Sequence, residues 1–237
     1  MLHSTKGIVF HSLKYSDTSV IVKIYTELFG IQSYLLKGIR SPGSKIKPGL
    51  FQSLTLLDLV VYHKEKRSLQ MVKEVRLAHV FKTIPQDIRK SSLVLFINEL
   101  VYKSIREEEP NPELFAFLWK TCRQLDETTE SVSCFHIHFA IGLCRHLGIF
   151  PQTNYSEKKQ IFNLREGLFQ SHIPEHPHYL DPGNSLLFYS LLKTCNQHFT
   201  AAQNFTPLLE TILLYYKLHL PGFRDVQSHH ILHDALA

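Results

Sequence analysis

Four cations fall within one turn-rich stretch, Lys37, Arg40, Lys45 and Lys47, with no acidic residue among them. Residues of this type at this spacing suit one chemistry above others, the neutralisation of phosphates. Gly38, Gly43 and Gly49 let the backbone approach a ligand closely, while Pro42 and Pro48 stiffen the segment and keep its cations extended. The run Gly38-Ile39-Arg40-Ser41-Pro42-Gly43-Ser44-Lys45 comes near a nucleotide-binding P-loop and fails twice. That motif closes on Gly-Lys-Ser/Thr, whereas Ser44 and Lys45 are transposed. It must also open a helix whose N-terminus faces the phosphates, and Lys47-Pro48-Gly49 leads into a strand pattern instead. A second basic group, Lys64, Lys66 and Arg67, follows the next apolar run. Tyr25 and Tyr34 are candidate platforms on which bases stack whatever their sequence, although aromatics in strands more often belong to a core.

No catalytic constellation accompanies the cations. There is no GxSxG elbow, HExxH or GxGxxG, and scattered Ser, His and Asp residues make no triad without geometry. No catalytic residue is assigned, and the expected activity is non-enzymatic. Metal signals are equally thin. Cys122, Cys134, Cys144 and Cys195 are widely spaced without a CxxC and read as buried reduced thiols. His172, His176 and His178 have ligand-like spacings but lie in a proline-rich stretch and read as loop histidines near the surface. His229 and His233, with Asp234 adjacent, are an i,i+4 pair lacking a third firm ligand, and His136 and His138 read as ordinary helix positions. No metal or other cofactor is expected.

Two kinds of element must carry these residues. Residues 4–77 read as an all-β unit of five strands: Gly7–Phe10, Ser19–Thr26, Ile31–Leu36, Phe51–His63 and Leu69–Leu77, with Tyr15-Ser16-Asp17-Thr18 turning between the first two. That count fits a small closed or partly open barrel of the OB type, with an SH3-like barrel as rival. From Pro85 the apolar spacing becomes helical, giving helices over Asp87–Ile105, Glu113–Leu125, Val132–Leu147, Ser185–Phe199 and Pro207–His219. Between them, residues 152–182 are polar, hold three prolines and offer only short strand-like pieces, 160–164 and 167–170. The fold class is therefore a five-stranded OB barrel over 1–80 followed by an all-α part over 81–237 with a small irregular insert. Charge divides along the same line. Residues 1–80 hold twelve Lys/Arg against five Asp/Glu, a surplus of +7, and the rest hold fourteen against sixteen, a balance of −2. A polyanion partner suits the first part. No run is long and apolar enough to span a membrane, and the N-terminus opens on a strand pattern rather than a signal peptide, so a cytoplasmic protein without membrane attachment is expected.

The residues together resemble a family. Lys6-Gly7-Ile8-Val9, the Tyr15–Thr18 turn, Thr26-Glu27-Leu28-Phe29-Gly30, Lys37-Gly38-Ile39-Arg40 leading to Ser44-Lys45, and the ending Tyr216-Lys217-Leu218-His219-Leu220-Pro221-Gly222-Phe223 resemble the bacterial recombination mediators of the RecO family, over nearly the whole chain. The resemblance implies a protein that binds single- and double-stranded DNA, anneals complementary strands, and works with RecR and the C-terminal tail of single-strand-binding protein to load recombinase at the nucleoid. It also implies a departure: many members carry a four-cysteine zinc site in the helical insert, and residues 152–182 contain no cysteine. Arg89, Lys90, Lys120, Arg123 and Arg145 are candidates for an acidic-tail site. Two other readings use the same residues, a non-catalytic protein-interaction adaptor and an RNA-binding OB module.

Overall fold

The computed structural model describes residues 1–39, 47–105, 109–193 and 206–236. Five strands close into a barrel: β1 Leu2–Lys14, β2 Val20–Thr26, β3 Gly30–Leu36, β4 Leu56–Tyr62 and β5 Leu69–Leu77. Their order is β1-β2-β3-β5-β4, with β4 returning antiparallel to β1 and β3 meeting β5 in parallel. This is the expected OB-like barrel, closed between β3 and β5 by a short parallel contact of Ser33–Leu35 with Leu69–Met71. The interior is filled by Val9, Val22, Ile24, Tyr34, Leu36, Phe51, Leu57, Leu59 and Val61.

The continuous apolar run at Gly7–Phe10 reflects burial on both faces of β1. Gly7 and Val9 face the interior. A Cβ at Gly7 would stand 2.6 Å from Ile24 Cγ2 and 2.8 Å from Leu59 Cδ1, so glycine lets the flanking strands close over this point. Ile8 and Phe10 take the opposite face, and the register to β2 shifts between Val9 and His11, a bulge that bends β1 around the barrel. A four-residue 3₁₀ turn, Pro48–Phe51, delays β4 to Leu56, later than the apolar run suggests, because Phe51 is spent plugging the core.

Among the described residues six helices follow: α1 Ile88–Ser104, α2 Pro112–Glu127, α3 Phe135–His146, α4 Pro182–Lys193, α5 Thr206–His219 and α6 Ser228–Leu236. Asn111 caps α2, its side chain accepting from Leu114 N at 3.0 Å, with Pro112 at the first turn. The insert forms a three-stranded sheet, β6 Ile161–Asn163, β7 Leu168–Gln170 and β8 Tyr179–Leu180, in the order β7-β6-β8. The expected continuation of α4 to Phe199 lies outside the described residues. The chain divides into two compact units, 1–98 with 105–129 and 99–104 with 130–237. The first thus combines the barrel with the start of α1 and all of α2. No described helix is long and apolar enough to cross a membrane.

In the first unit α2 lies on the barrel wall through aromatic contacts. The Tyr25 ring stacks on Phe10 at 5.5 Å and meets Phe115 of α2 at 5.9 Å, and its hydroxyl donates to the Asn111 carbonyl at 3.3 Å. Asn98 of α1 donates to the Phe10 carbonyl at 3.0 Å. In the second unit, Tyr216 donates to Ala140 O at 2.7 Å and Tyr215 to Ile149 O at 2.9 Å, tying α5 to α3 and the chain beyond it.

Candidate nucleic-acid interface

The two basic groups occupy opposite ends of β3. Lys37 directly follows Leu36, whose register partner is Val20 at the start of β2, and Lys47 stands where the basic loop returns; both are exposed. Arg40 and Lys45 lie outside the described residues. Lys64, Lys66 and Arg67 are exposed on the β4–β5 turn, which enters β5 at Leu69 opposite Ser33. That turn reaches the Gly30 end of β3, where the ring of its first residue, His63, stacks on Phe29 at 3.9 Å. At about 3.3 Å per residue, the seven residues of β3 set the groups roughly 20 Å apart. The P-loop alternative fails in three dimensions as it did in one, since a 3₁₀ turn and a strand follow the loop.

The β4–β5 turn is held from below by Gln70, a residue with no signal in the sequence reading. Its buried amide accepts from Lys64 N at 3.0 Å and donates to Lys64 O at 2.9 Å and Arg67 O at 2.7 Å. One side chain thereby satisfies the turn backbone and leaves the three cations to solvent.

Between the basic ends, the outer wall carries an apolar row that follows the strand register around the barrel. Leu13 pairs with Ile21, Ile21 with Leu35, Leu35 with Met71, Met71 with Tyr62 and Tyr62 with Leu2. All six are half-exposed or exposed, Leu13 by 54% and Tyr62 by 47%. Lys23 stands one pleat away opposite Ser33, also half-exposed. Six such side chains in one row are more apolar surface than scattered exposure would give.

Tyr25 and Tyr34 are corrected from stacking platforms to core residues. Tyr25 is 1% exposed because α2 covers the outer face of β2, and Tyr34 is 0% exposed because it points into the barrel. Burial pushes the Tyr34 phenol well above its ordinary pKa. Neither offers a ring face to a base. Tyr15, in the β1–β2 turn beside the Lys37 end of β3, is 62% exposed and does. Its signal was available: a large aromatic in an otherwise polar turn has no core to fill.

Lys90 is likewise removed from the acidic-tail candidates. It is buried, with its ammonium donating to Thr83 Oγ1 at 2.7 Å and Thr128 O at 2.8 Å. Asp126 stands beside it as the hub joining α2 to the end of the barrel. Its carboxylate accepts from the N–H groups of Lys82, Thr83 and Ile84 at 2.9–3.1 Å and from His79 Nε2 at 3.1 Å. Burial alone would raise its pKa, but these donors hold it down at about 2. Arg89 and Arg123 are exposed and paired with Asp87 and Glu127, and Arg145 lies 4.0 Å over the Phe150 ring.

The insert does not fit a zinc site. It has no cysteine, and among the described residues no three His, Cys, Asp or Glu side chains come together to hold a metal ion. His176 Nδ1 accepts from the His178 N–H at 3.2 Å. The insert holds an aromatic cluster: Phe162 packs on Phe169 and Phe188 at 4.8 Å each, and Tyr155 stacks on Tyr189 at 4.8 Å. Asn154 adds a side-chain ladder, donating to Phe169 O at 3.0 Å and accepting from Phe169 N at 2.9 Å. Cys122, Cys134 and Cys144 are buried cysteines outside any disulfide among the described residues, with burial pushing Cys122 up to about 12; Cys195 lies outside the described residues.

An OB-like barrel with basic ends, followed by a helical part with six helices among the described residues, defines the class. Residues 1–81 match the model of the recombination protein O N-terminal domain, and residues 85–225 match that of its C-terminal domain. The chain belongs to the recombination protein O family. It is 35% identical over 238 residues to the DNA repair protein RecO of Phocaeicola vulgatus, covering 99% of each chain. It is 35% identical to that of Bacteroides fragilis and 33% identical to that of Christiangramia forsetii, again over 99% of each. Membership places the chain among DNA repair proteins.

Proposed function

We propose that this chain is a cytoplasmic, nucleoid-associated, non-enzymatic mediator of repair that binds single- and double-stranded DNA and anneals complementary strands. It acts with RecR and the C-terminal tail of single-strand-binding protein to load recombinase. The observation that carries the reading is the placement of basic groups at both ends of β3 on an OB-like barrel whose family is one of repair proteins. Phosphates meet Lys37, Arg40, Lys45 and Lys47 at one end and Lys64, Lys66 and Arg67 at the other. The bases lie over Leu35, Ile21 and Met71 between them, with Tyr15 as the exposed aromatic. Such contacts carry little sequence information, which annealing of arbitrary strands requires.

Binding of a short single-stranded oligonucleotide is expected to fall steeply with salt. Combined Lys37, Arg40, Lys45 and Lys47 to Ala replacement is expected to flatten the log–log slope by roughly three, at ~0.7 per phosphate contact. Binding unchanged by salt, or intact after that replacement, would count against the loop. Faster annealing of strands coated with single-strand-binding protein separates a mediator from a passive binder. The adaptor reading has one observation in its favour, the apolar row, and predicts that charging Met71 and Leu35 leaves DNA binding intact.

A further inference from the structure

A second candidate subsite lies on the first unit, away from the basic loop. α2 and the start of β1 enclose a groove of about 410 Å³ whose floor is Phe115 and whose wall is Trp119, the one tryptophan of the chain. The indole is half-buried and seated on Phe115, with ring centroids 5.5 Å apart and planes 31° from parallel. Lys6 places its ammonium 5.3 Å over the indole, although Asp58 stands opposite it in the strand register. Lys120 lines the same groove, exposed, and neither lysine is in an ion pair among the described residues. The groove's third cation, Arg123, is held by Glu127 at 2.7 Å, and Glu27 is the other carboxylate present.

We propose that this groove binds a base and the adjoining phosphates of single-stranded nucleic acid. The indole supplies the stacking face, and Lys6 and Lys120 meet the phosphates. An aromatic wall of fixed orientation beside two unpaired cations is the pairing that holds single strands without reading them. The groove borders the turn between β2 and β3, at the Gly30 end of β3, so the seven residues of that strand separate it from Lys37. One protein then holds nucleic acid at two places, as bringing two strands together demands. The inference rests on the DNA-binding reading above and deepens it.

The single tryptophan makes the test direct in the full-length wild-type chain. Oligo-dT binding is followed by fluorescence anisotropy of a labelled strand and, separately, by Trp119 emission with an unlabelled one. The expected result is saturable quenching with the same midpoint as the anisotropy. Lys6→Gln with Lys120→Gln is expected to flatten the salt slope by about 1.4, at ~0.7 per contact. Trp119→Leu is expected to weaken binding about tenfold, with Trp119→Phe near wild type. Binding by anisotropy with unchanged emission would overturn the subsite and leave the loop assignment standing. Absence of binding at low salt would remove both. Quenching by an acidic peptide with an apolar C-terminus, but not by the oligonucleotide, would overturn the subsite in favour of a protein ligand.

Discussion

Asp126 shows how a single side chain can make stability depend on pH. Its carboxyl is held at about 2 against an ordinary 3.8, so the folded state resists protonation that the unfolded chain accepts. The stability this provides is present above about pH 4 and is lost as pH falls towards 2; the shift corresponds to about 2 kcal/mol. Asp126→Asn is expected to lower stability at neutral pH by about that amount and to flatten the acid limb between pH 4 and 2, as read by urea denaturation across pH. Gly7→Ala is expected to cost ~1–3 kcal/mol, since Ile24 and Leu59 must both move. At this scale the sequence was a partial guide. Lys37, Lys47, Lys64, Lys66 and Arg67 are exposed where their loops were expected, because polar turns have nowhere to go but solvent. Tyr25 misled because the surface that covers it, Phe115, lies 90 positions further on, and strand alternation cannot say whether an outward face stays open.

Among the elements, the barrel strands were legible from their β-branched runs, and α1 to α5 from their spacing. α6 had no start signal in its own neighbourhood. Its N-terminus is capped from α1: Glu99 accepts from Gln227 N at 3.0 Å and Ser228 N at 2.7 Å. Burial opposes the Glu99 charge, and these donors with Lys103 outweigh it, holding the carboxyl at about 2. A cap supplied across 128 residues leaves no local motif. The β4–β5 turn has the same character, since its order depends on Gln70. Gln70→Ala keeps every charge, yet is expected to weaken oligonucleotide binding while leaving the salt slope nearly unchanged. Equal affinity in a titration would show that charge alone suffices. In the insert, Asn154→Ala removes two hydrogen bonds to Phe169 and is expected to speed amide exchange in β6 and β7 ahead of the rest of the chain.

For the molecule as a whole, the cysteine-free insert has a thermal consequence. Phe162 packs on Phe169 and on Phe188 of α4 without a cysteine among residues 152–182, so a strong chelator is expected to leave Tm unchanged in a melting scan. The two family models meet between residues 81 and 85, yet the compact unit around the barrel extends to residue 129. A fragment 1–129 is expected to melt cooperatively and a fragment 1–81 to aggregate, because the shorter one bares Ile8, Phe10 and Tyr25; size-exclusion chromatography and circular dichroism read both. The contact of Phe115 with Tyr25 therefore also governs exchange between relatives. A chimera that splices one member's barrel to another's helices at residues 82–84 sets Tyr25 against a foreign α2, so the barrel and α2 have to be traded together.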